Sequence, residues 1–544
     1  MVDQLQPLPE LAPDGRDTSA ATAVPAWLAA IAGVVAAAVA LAVGELVTSL
    51  PGSDQSLVAS VGTSFIDRFA ASLKDVAISI FGTNDKAALI IGIVVVALAA
   101  GAVTGILART RTWVPFVVFG GFALLGIAAT STDTLASAPI GVVAAGLAAL
   151  AGIMTLRGLL HVARLGRNPV LTTASVTRAR PAGDDGRSRR AFFGWVGAAG
   201  AFAVVVAGIG RTLTTRSRAE EARAGVRLPS VKPEAGATTT VPADAPLGID
   251  GLSPYYVPNK SFYRIDTALV VPQVDPADWK LSVTGMVDHP LTLSFDELLA
   301  LPMVEESVTL SCVSNEVGGD LVGNARWQGV PLASVLERAG VQPAATQLMG
   351  VSVDGFTAGF PTQVALDGRT ALIAVGMNGE ALPIAHGFPA RLVIAGLYGY
   401  VSATKWLTEI RLNRLEDEDG YWIDKGWSKQ APIKTMSRID VPTTTDAVKK
   451  GPVKIAGVAW APDVGIDKVE VQIKDGPWQP ARLAEVVSKN TWVQWVYDWD
   501  AQDDGAHKVR CRATDKSGYT QTAERSSPAP DGATGYHEVQ IRVV

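Results

Sequence analysis

Cys312 is the residue of this chain whose type and setting best suit chemistry. It follows residues 307–311, where polar and apolar side chains alternate as in a half-buried strand. A loop rich in serine, asparagine and glycine comes next. A cysteine at the end of a strand can present a thiolate, and a thiolate suits a soft or high-valent metal. The alternative is a buried cysteine that only packs, because free cysteine is among the most buried residue types.

Strands and short helices must hold this cysteine in place. After the loop and Trp327, the apolar spacing of Leu332, Val335 and Leu336 predicts a helix. Residues 279–285 and 290–302 alternate like strands, and a brief helix is predicted over Phe295–Leu299 within the second of these. Residues 349–360 predict a strand followed by a turn. Together these elements predict an α+β domain with much mixed sheet.

Several segments resemble the molybdopterin core of the sulfite oxidase family. Residues 311–336 contain SCVSN and ARWQGVPLASVL, which are similar to the family's metal-cysteine loop and the helix that follows it. PNKSFYRIDT, residues 258–267, is similar to its first cofactor segment, and residues 386–412, beginning HGFPAR, to its second. Residues 457–483 resemble the start of its C-terminal immunoglobulin-like domain. The resemblance therefore covers about residues 247–544, with the segments in the expected order.

The resemblance implies a cofactor, molybdopterin carrying molybdenum, and the residues that bind it. Cys312 would be the protein ligand of molybdenum and a catalytic residue. The implied cofactor-binding residues are Tyr263, Arg264, Asp266, Cys312, Asp354, His386, Arg391, Ala403, Thr404 and Lys405. The types of these residues agree with phosphate binding, because a phosphate accepts two parallel hydrogen bonds from an arginine guanidinium and attracts the compact charge of a lysine. Taken alone, each basic residue is more often a solvated surface charge.

The chain departs from the family where the substrate would bind. Sulfite oxidases carry arginines in the first cofactor segment and after the metal cysteine, where this chain has Ile265 and Glu316. A dianionic substrate needs a cationic pocket to offset its desolvation, so the case for sulfite weakens and a sulfoxide-like compound is the other candidate. Tyr421 and Trp427 are predicted catalytic residues lining a less charged pocket, with Trp427 in place of the family's tyrosine. The alternative is that these aromatic side chains pack between two domains.

The first part of the chain contains five apolar runs without internal charge. They are residues 24–44, 87–108, 113–130, 138–156 and 191–210. Because about 20 apolar residues are needed to cross a bilayer core, five transmembrane helices are predicted. The alternative is a bundle of buried helices in a soluble domain, and five charge-free runs argue against it.

Arginine counting predicts the orientation of these helices. Residues 157–190 contain eight arginines and residues 109–111 contain two, whereas residues 45–86 form a nearly balanced loop. The positive-inside rule places both arginine-rich loops in the cytoplasm, with the N-terminus cytoplasmic and the C-terminal region extracytoplasmic. SRRAFF, residues 188–193, resembles a twin-arginine export signal. The prediction is a multi-pass protein of the cell membrane.

These patterns divide the chain into five parts. They are a cytoplasmic tail at 1–23, a five-span membrane region at 24–210, a flexible linker at 211–246, the molybdopterin-binding oxidoreductase domain at 247–429 and an immunoglobulin-like domain at 430–544.

The C-terminal part is predicted to be an all-β sandwich. VKIAGVAW, KVEVQIKD, WVQWVYDWD, HKVRCRATD and HEVQIRVV alternate as strands and are separated by turn signals. The resemblance implies an immunoglobulin-like domain that forms homodimers, although a sandwich with exposed aromatic residues would also suit carbohydrate binding. Cys511 lies within one predicted strand and is expected to be a small core side chain.

Composition and motifs limit the function further. The net charge is −5, with 47 basic and 52 acidic residues, which argues against a nucleic-acid surface. No C-x-x-C-H haem motif occurs, so electrons would pass to a separate carrier. We predict a membrane-anchored, extracytoplasmic molybdenum oxidoreductase whose partners are a small oxo-substrate, that carrier and membrane lipid. The alternatives are a sulfoxide reductase of the same superfamily and a cofactor-free membrane scaffold, which would purify without metal.

Overall fold

The chain forms two compact units, Met1–Thr215 and Arg216–Val544. The computed structural model describes residues 24–49, 55–81, 85–165, 185–215, 218–231, 245–444 and 446–544. The predicted tail and part of the predicted arginine-rich connection lie outside the described residues.

The described elements of the first unit are helices. They are α1 (Ala26–Thr48), α2 (Leu57–Phe81), α3 (Asp85–Leu107), α4 (Val114–Thr132), α5 (Ala138–Leu165) and α6 (Asp185–Thr215). Helix α1 packs against α3, α5 and α6. Its small side chains allow close approach, since a Cβ added to Gly33 would lie 1.9 Å from the carbonyl oxygen of Gly101 in α3.

Four of these helices are long and apolar enough to cross a membrane. They are Ala26–Thr48, Lys86–Leu107, Val114–Thr132 and Ala138–Arg164. Large apolar side chains such as Val96, Leu124 and Met154 are exposed on them, as suits contact with lipid. The fifth predicted run lies in α6, where the described residues form only a shorter apolar helix, Arg190–Val205. Of the five predicted spans, four therefore meet the length required, and these four suggest membrane association.

Two predictions for this unit were wrong. The segment 45–86 is not simply a loop, because it contains α2, in which Asp67 and Arg68 lie among apolar residues. Helix α5 also does not end at residue 156 but continues to Leu165. Arginine is a good helix former and does not end a helix, and the Arg157 guanidinium lies 5.6 Å from the ring centroid of Phe116.

The second unit begins with a mixed α/β region. Its elements are α7 (Arg218–Gly225), β1 (Lys280–Gly285), β2 (Leu291–Ser294), α8 (Phe295–Leu299), β3 (Val304–Ser311), β4 (Val322–Pro331), α9 (Leu332–Ala339), β5 (Gln347–Ser352), β6 (Thr357–Pro361), β7 (Ala371–Met377), β8 (Glu380–Ala381), β9 (Arg391–Ile394), α10 (Gly399–Ser402) and β10 (Leu407–Asn413). Short 3₁₀ helices lie at Asn259–Ser261, Thr362–Ala365 and Ile384–His386. The helix predicted over Phe295–Leu299 is confirmed, and Ser294 and Glu297 form a capping box at its start.

Two sheets position the site in this region. One has the order β2-β1-β10-β5-β6, with β1 parallel to β10. The other has the order β3-β4-β7-β8, and β9 pairs with β7. All seven residues of β7 are buried, because the strand lies between β4 and β9 in the middle of the core. The predicted mixed-sheet architecture is confirmed.

The C-terminal strands form an eight-stranded sheet. They are β11 (Met436–Val441), β12 (Ala447–Val448), β13 (Gly451–Trp460), β14 (Ile466–Ile473), β15 (Gln479–Leu483), β16 (Val493–Ala501), β17 (Gly505–Asp515) and β18 (His537–Val543), in the order β11-β13-β16-β15-β14-β17-β18-β12. The five predicted strands are all present, whereas β11, β12 and β15 were not predicted. Cys511 is fully buried in β17, as expected for a core side chain.

Part of the predicted linker packs on the second unit. Ala219 of α7 is buried, and Arg223 Nη1 donates to the carbonyl oxygen of Ala381 at 3.0 Å. Farther on, Gln328 Nε2 donates to the carbonyl oxygen of Pro229 at 2.6 Å. The segment 218–231 is therefore part of this unit, and residues 216–217 and 232–244 lie outside the described residues.

Candidate functional site

Cys312 lies immediately after β3, at the start of the connection from β3 to β4. We call this connection, residues 312–321, the Cys312 loop. Strand β3 pairs with β4 in antiparallel register up to the Ser311–Val322 pair, and the Cys312 N–H then donates to the carbonyl oxygen of Leu321 at 2.9 Å. The cysteine is 9% exposed. The strand predicted before the cysteine is therefore confirmed, but the prediction that it is half-buried was wrong, because residues 307–311 are buried on both faces.

Asn315 shapes the base of the Cys312 loop. Its side-chain oxygen accepts from the Leu321 N–H at 2.9 Å, and its own N–H donates to the carbonyl oxygen of Cys312 at 3.1 Å. Asparagine readily makes such local bonds to the backbone. Sequence reasoning missed this role, although an asparagine three residues after the cysteine in a glycine-rich loop is a signal that could have indicated it.

Arg391 is a buried cation at the start of β9. It is 5% exposed. Its Nη1 and Nε donate to the carbonyl oxygens of His386 and Leu392 at 3.2 and 3.3 Å, and its guanidinium carbon lies 5.0 Å from the ring centroid of Trp327. Within the described part of the chain, no carboxylate forms an ion pair with it. Burial lowers the pKa of Arg391 to about 10, so the folded protein holds a buried charge that an anion would balance.

His386 ends the 3₁₀ helix beside this arginine. Its Nε2 lies 3.0 Å from the carbonyl oxygen of Asn259, which can only accept, so Nε2 carries the proton. Burial, followed by the charge of Arg391, lowers the pKa of His386 to about 4. The imidazole is therefore neutral at pH 7, and Asn259 fixes its orientation.

Lys405 forms a second buried cationic centre. Its Nζ donates to Asp266 at 2.6 Å, and Arg264 forms an ion pair with the same carboxylate at 2.8 Å. Burial lowers the pKa of Lys405 to about 8 despite this pairing. Burial also raises the pKa of Asp354, which lies within electrostatic reach of Asp266 and Lys405. The structure thus brings these four predicted residues together.

Tyr263 connects the cations to the cysteine. Burial raises its pKa, Cys312 raises it further, and Arg391 opposes this rise. Tyr263 therefore lies within electrostatic reach of both the thiol and the guanidinium. Its ring stacks on Phe262, which contacts Trp327, the residue beneath the Arg391 guanidinium.

Ala403 and Thr404 lie between α10 and Lys405. The Ala403 N–H donates to the carbonyl oxygen of Gly399 at 3.0 Å. The Thr404 carbonyl oxygen accepts from the N–H of Leu392, the residue after Arg391, at 2.9 Å. The backbone predicted to complete a phosphate site thus lies beside Arg391, although the Ala403 N–H already has an acceptor.

The predicted catalytic aromatic residues lie together near α10. Tyr421 and Trp422 have ring centroids 5.2 Å apart, Trp422 and Trp427 6.4 Å, and Trp427 and Tyr400 of α10 5.7 Å. Tyr398, just before α10, is buried and lies within electrostatic reach of Cys312. The aromatic cluster is therefore linked to the cysteine through this segment, and catalytic roles for Tyr421 and Trp427 stay a prediction.

These side chains fit a buried anionic group. Arg391, Arg264 and Lys405 bring three cations to the site, and Asp266 is the carboxylate paired with two of them. Burying an uncompensated ion costs several kcal/mol, so an anion bound here would offset that cost. A phosphate is suited to this setting, because arginine and lysine both donate to its oxygens.

Replacing Lys405 by arginine should flatten the pH dependence of anion binding. A Lys405 pKa of about 8 means that binding above pH 8 requires proton uptake, so affinity should fall by up to about tenfold per pH unit. An arginine at this position stays charged in that range. Retention of molybdenum and pterin would be measured between pH 7 and 9 in both proteins. Equal pH slopes would contradict this role for Lys405.

Comparison with known proteins points to the same chemistry. Residues 268–422 match the family described as oxidoreductase molybdopterin binding domain. The chain is 36% identical over 167 residues to the uncharacterized oxidoreductase YuiH of Bacillus subtilis (strain 168), and the match covers 31% of this chain and 81% of that protein.

Longer matches include sulfite oxidases. The chain is 30% identical over 322 residues to the mitochondrial sulfite oxidase of Homo sapiens, covering 50% of this chain and 58% of that protein. It thus spans little more than half the length of that relative. The sulfane dehydrogenase SoxCD from Paracoccus pantotrophus matches 56% of this chain and 86% of that chain, with 22% identity and a TM-score of 0.47. The matched domain and the extent of the YuiH match place this chain in the sulfite oxidase family, as a molybdopterin-dependent oxidoreductase that uses the molybdenum cofactor.

Proposed function

We propose that this chain is a membrane-anchored oxidoreductase that catalyses two-electron oxygen-atom transfer on a small oxo-substrate. In the oxidising direction, water would supply the oxygen atom, two electrons would pass to a separate carrier, and two protons would be released to solvent. The observation that carries the proposal is the pair of buried cations, Arg391 and Lys405, which lie within electrostatic reach of each other, with Arg391 and the buried Cys312 both within electrostatic reach of Tyr263. A site of this kind suits an anionic cofactor held at one end by phosphate contacts and at the other by a thiolate.

Each of the predicted site residues would have its own role in binding the cofactor. Cys312 would bind the metal, Arg391 and Lys405 would hold the phosphate, and the neutral His386 would lie against the pterin. Tyr263, Arg264, Asp266 and Asp354 would line the pterin. Bound molybdenum would supply the redox chemistry, whereas the protein supplies binding and orientation.

A second candidate direction is the reduction of a sulfoxide-like substrate. Ile265, which occupies a position of arginine in sulfite oxidases, is 50% exposed, and Glu316 is also exposed. The half-buried Tyr421 and Trp427 would offer such a substrate an apolar wall. These features favour a substrate with less negative charge than sulfite.

The remaining parts of the proposal concern location and assembly. Five spans, with α6 as the last, would place the N-terminus in the cytoplasm and the catalytic region outside it. The SRRAFF motif would act as an internal twin-arginine export signal. The domain at 430–544 would be immunoglobulin-like and would form a homodimer.

Metal content and two assays test the proposal. The full chain, purified in detergent from a host that makes and exports the cofactor, should contain about one molybdenum per chain by mass spectrometry, as one thiolate ligand implies. Sulfite-dependent reduction of an artificial acceptor and sulfoxide-dependent oxidation of a reduced dye would distinguish the two directions. A metal-free protein without either activity would support a scaffold instead.

A further inference from the structure

We propose that Arg438, on the first strand of the C-terminal sheet, is a positioning residue that holds the Cys312 loop in the geometry required for metal binding. The proposal rests on the proposed function, in which Cys312 is the metal ligand. It gives the C-terminal sheet a part in the catalytic site besides any part in dimer formation.

The Cys312 loop is fixed from within mainly at its base. The bonds between Cys312 and Leu321, and those of Asn315, close the end nearest the strands. The outer end is a turn in which the Gly319 N–H donates to the carbonyl oxygen of Glu316 at 2.9 Å, with Gly318 at φ +82°. Loops are in general more mobile than the strands they connect, so an external contact at this end would restrict the turn.

Arg438 supplies such a contact. Its Nη1 donates to the carbonyl oxygen of Gly319 at 2.7 Å. Its Nε pairs with Asp440 at 2.6 Å and its Nη2 donates to Ser253 Oγ at 2.8 Å, so two partners outside the loop fix the guanidinium. The Arg438 side chain is only 10% exposed. Because the guanidinium is planar and rigid, these anchors determine where the Gly319 carbonyl lies.

His537 of β18 covers the neighbouring residue of the loop. A Cβ added to Gly318 would lie 2.3 Å from His537 Nε2, so ring and backbone are in close contact. The Ile439 N–H donates to His537 Nδ1 at 3.0 Å and fixes the ring to the same strand as Arg438. Two side chains of the C-terminal sheet therefore contact the outer end of the Cys312 loop.

The positive charge of Arg438 is balanced by the neighbouring carboxylate of Asp440. The Asp440 side chain is 8% exposed and forms an ion pair with it. The arginine therefore adds little net positive charge for an anion, and its effect on the loop is geometric. Loss of the contact between Arg438 and Gly319 should therefore affect the accessibility of the Cys312 thiol more than the affinity for phosphate.

The reactivity of the two cysteines tests this role. The full chain, made without molybdenum cofactor, would be treated with iodoacetamide, and alkylation of Cys312 and Cys511 would be followed by peptide mass spectrometry. The double variant R438M/D440N removes the ion pair as a unit, so no buried charge is left unpaired. Alkylation of Cys312 should become about fivefold faster, the factor that corresponds to losing about 1 kcal/mol of hydrogen bonding. Cys511, buried in β17, should react as in the wild type.

Two further variants refine the test. R438K keeps the charge but loses the fork, so its Cys312 rate should lie between those of the wild type and the double variant. The matched control is R510M, because Arg510 lies on the same sheet but forms its ion pair with Glu538, at 2.8 Å, on the neighbouring strand. It should leave the Cys312 rate unchanged.

The outcomes separate this inference from the proposed function. A wild-type Cys312 rate in R438M/D440N would overturn the inference. Equal acceleration of Cys312 and Cys511 would also overturn it, because both cysteines would then report general loosening. In a host that makes the cofactor, molybdenum per chain should fall in the double variant and stay unchanged in R510M. A wild-type chain without molybdenum would contradict the proposed function. The alkylation rates would still show whether Arg438 positions the Cys312 loop.

Discussion

Replacing Cys312 by alanine should lower oxidoreductase activity at least about a hundredfold while leaving much of the pterin bound. Residues one step outside a metal's ligands typically contribute 10–100-fold, so loss of the proposed ligand itself should cost at least the upper end of that range. The pterin should remain because Arg391 and Lys405 are untouched. Activity would be measured in whichever of the two assays the wild type supports, and pterin by fluorescence after oxidation.

Cys511→Ala is the matched control for this change. Cys511 is also a buried cysteine, and Ser437 Oγ donates to its sulfur at 3.3 Å. Burial raises the pKa of Cys511 to about 12, which disfavours a thiolate. Its replacement should leave activity and the spectrum of the metal centre unchanged. A Cys312→Ala protein with wild-type activity would show that the thiol is not the ligand.

Replacing Arg391 by methionine should abolish cofactor binding. Hydrogen bonds to charged groups contribute about 1.5–3 kcal/mol each. Loss of two such bonds to a phosphate would weaken binding by roughly 10² to 10⁴. Molybdenum and pterin should therefore both fall below a tenth of the wild-type content. This pattern differs from that of Cys312→Ala, in which the pterin is retained.

Arg411→Met provides the control for the loss of an arginine. Arg411 lies in β10 and pairs with Glu409 at 2.8 Å and Glu418 at 3.1 Å, with its side chain 35% exposed. Exposed ion pairs contribute about 0–1 kcal/mol, so this variant should keep its cofactor. Arg391→Lys should retain an intermediate amount, because the charge remains but the fork is lost. Full cofactor content in Arg391→Met would contradict the proposed phosphate site.

Local patterns in the sequence were sufficient to predict many of the elements. The alternation of polar and apolar residue types before Cys312 predicted that β3 ends there, because this pattern is local to the strand, although the structure buries both faces of the strand. The five longest C-terminal strands were predicted for the same reason. The helix at Phe295–Leu299 was predicted, and its capping box is a local signal. Helix α2 was missed because its charged residues led us to assign the segment as a loop.

Contacts between distant segments could not be predicted in this way. Lys405 and Asp266 were both proposed as cofactor residues, but no local pattern predicts that they form an ion pair. The position of Arg391 over Trp327 likewise depends on the pairing of β9 and β4 with β7. The contact of Arg438 with Gly319 depends on how the C-terminal sheet packs against the Cys312 loop. The resemblance to the family named the residues of the site, whereas their charge balance required the structure.

The contact between Gly318 and His537 also has a consequence for biosynthesis. The two residues are about 220 positions apart, and contacts of such long range form late because a large loop must first close. During translation, the Cys312 loop would leave the ribosome long before β18 exists to cover it. The outer end of the Cys312 loop would then lack its contacts with His537 and Arg438 until the C-terminal sheet is complete. We therefore expect cofactor insertion to occur within this interval or to require its reopening.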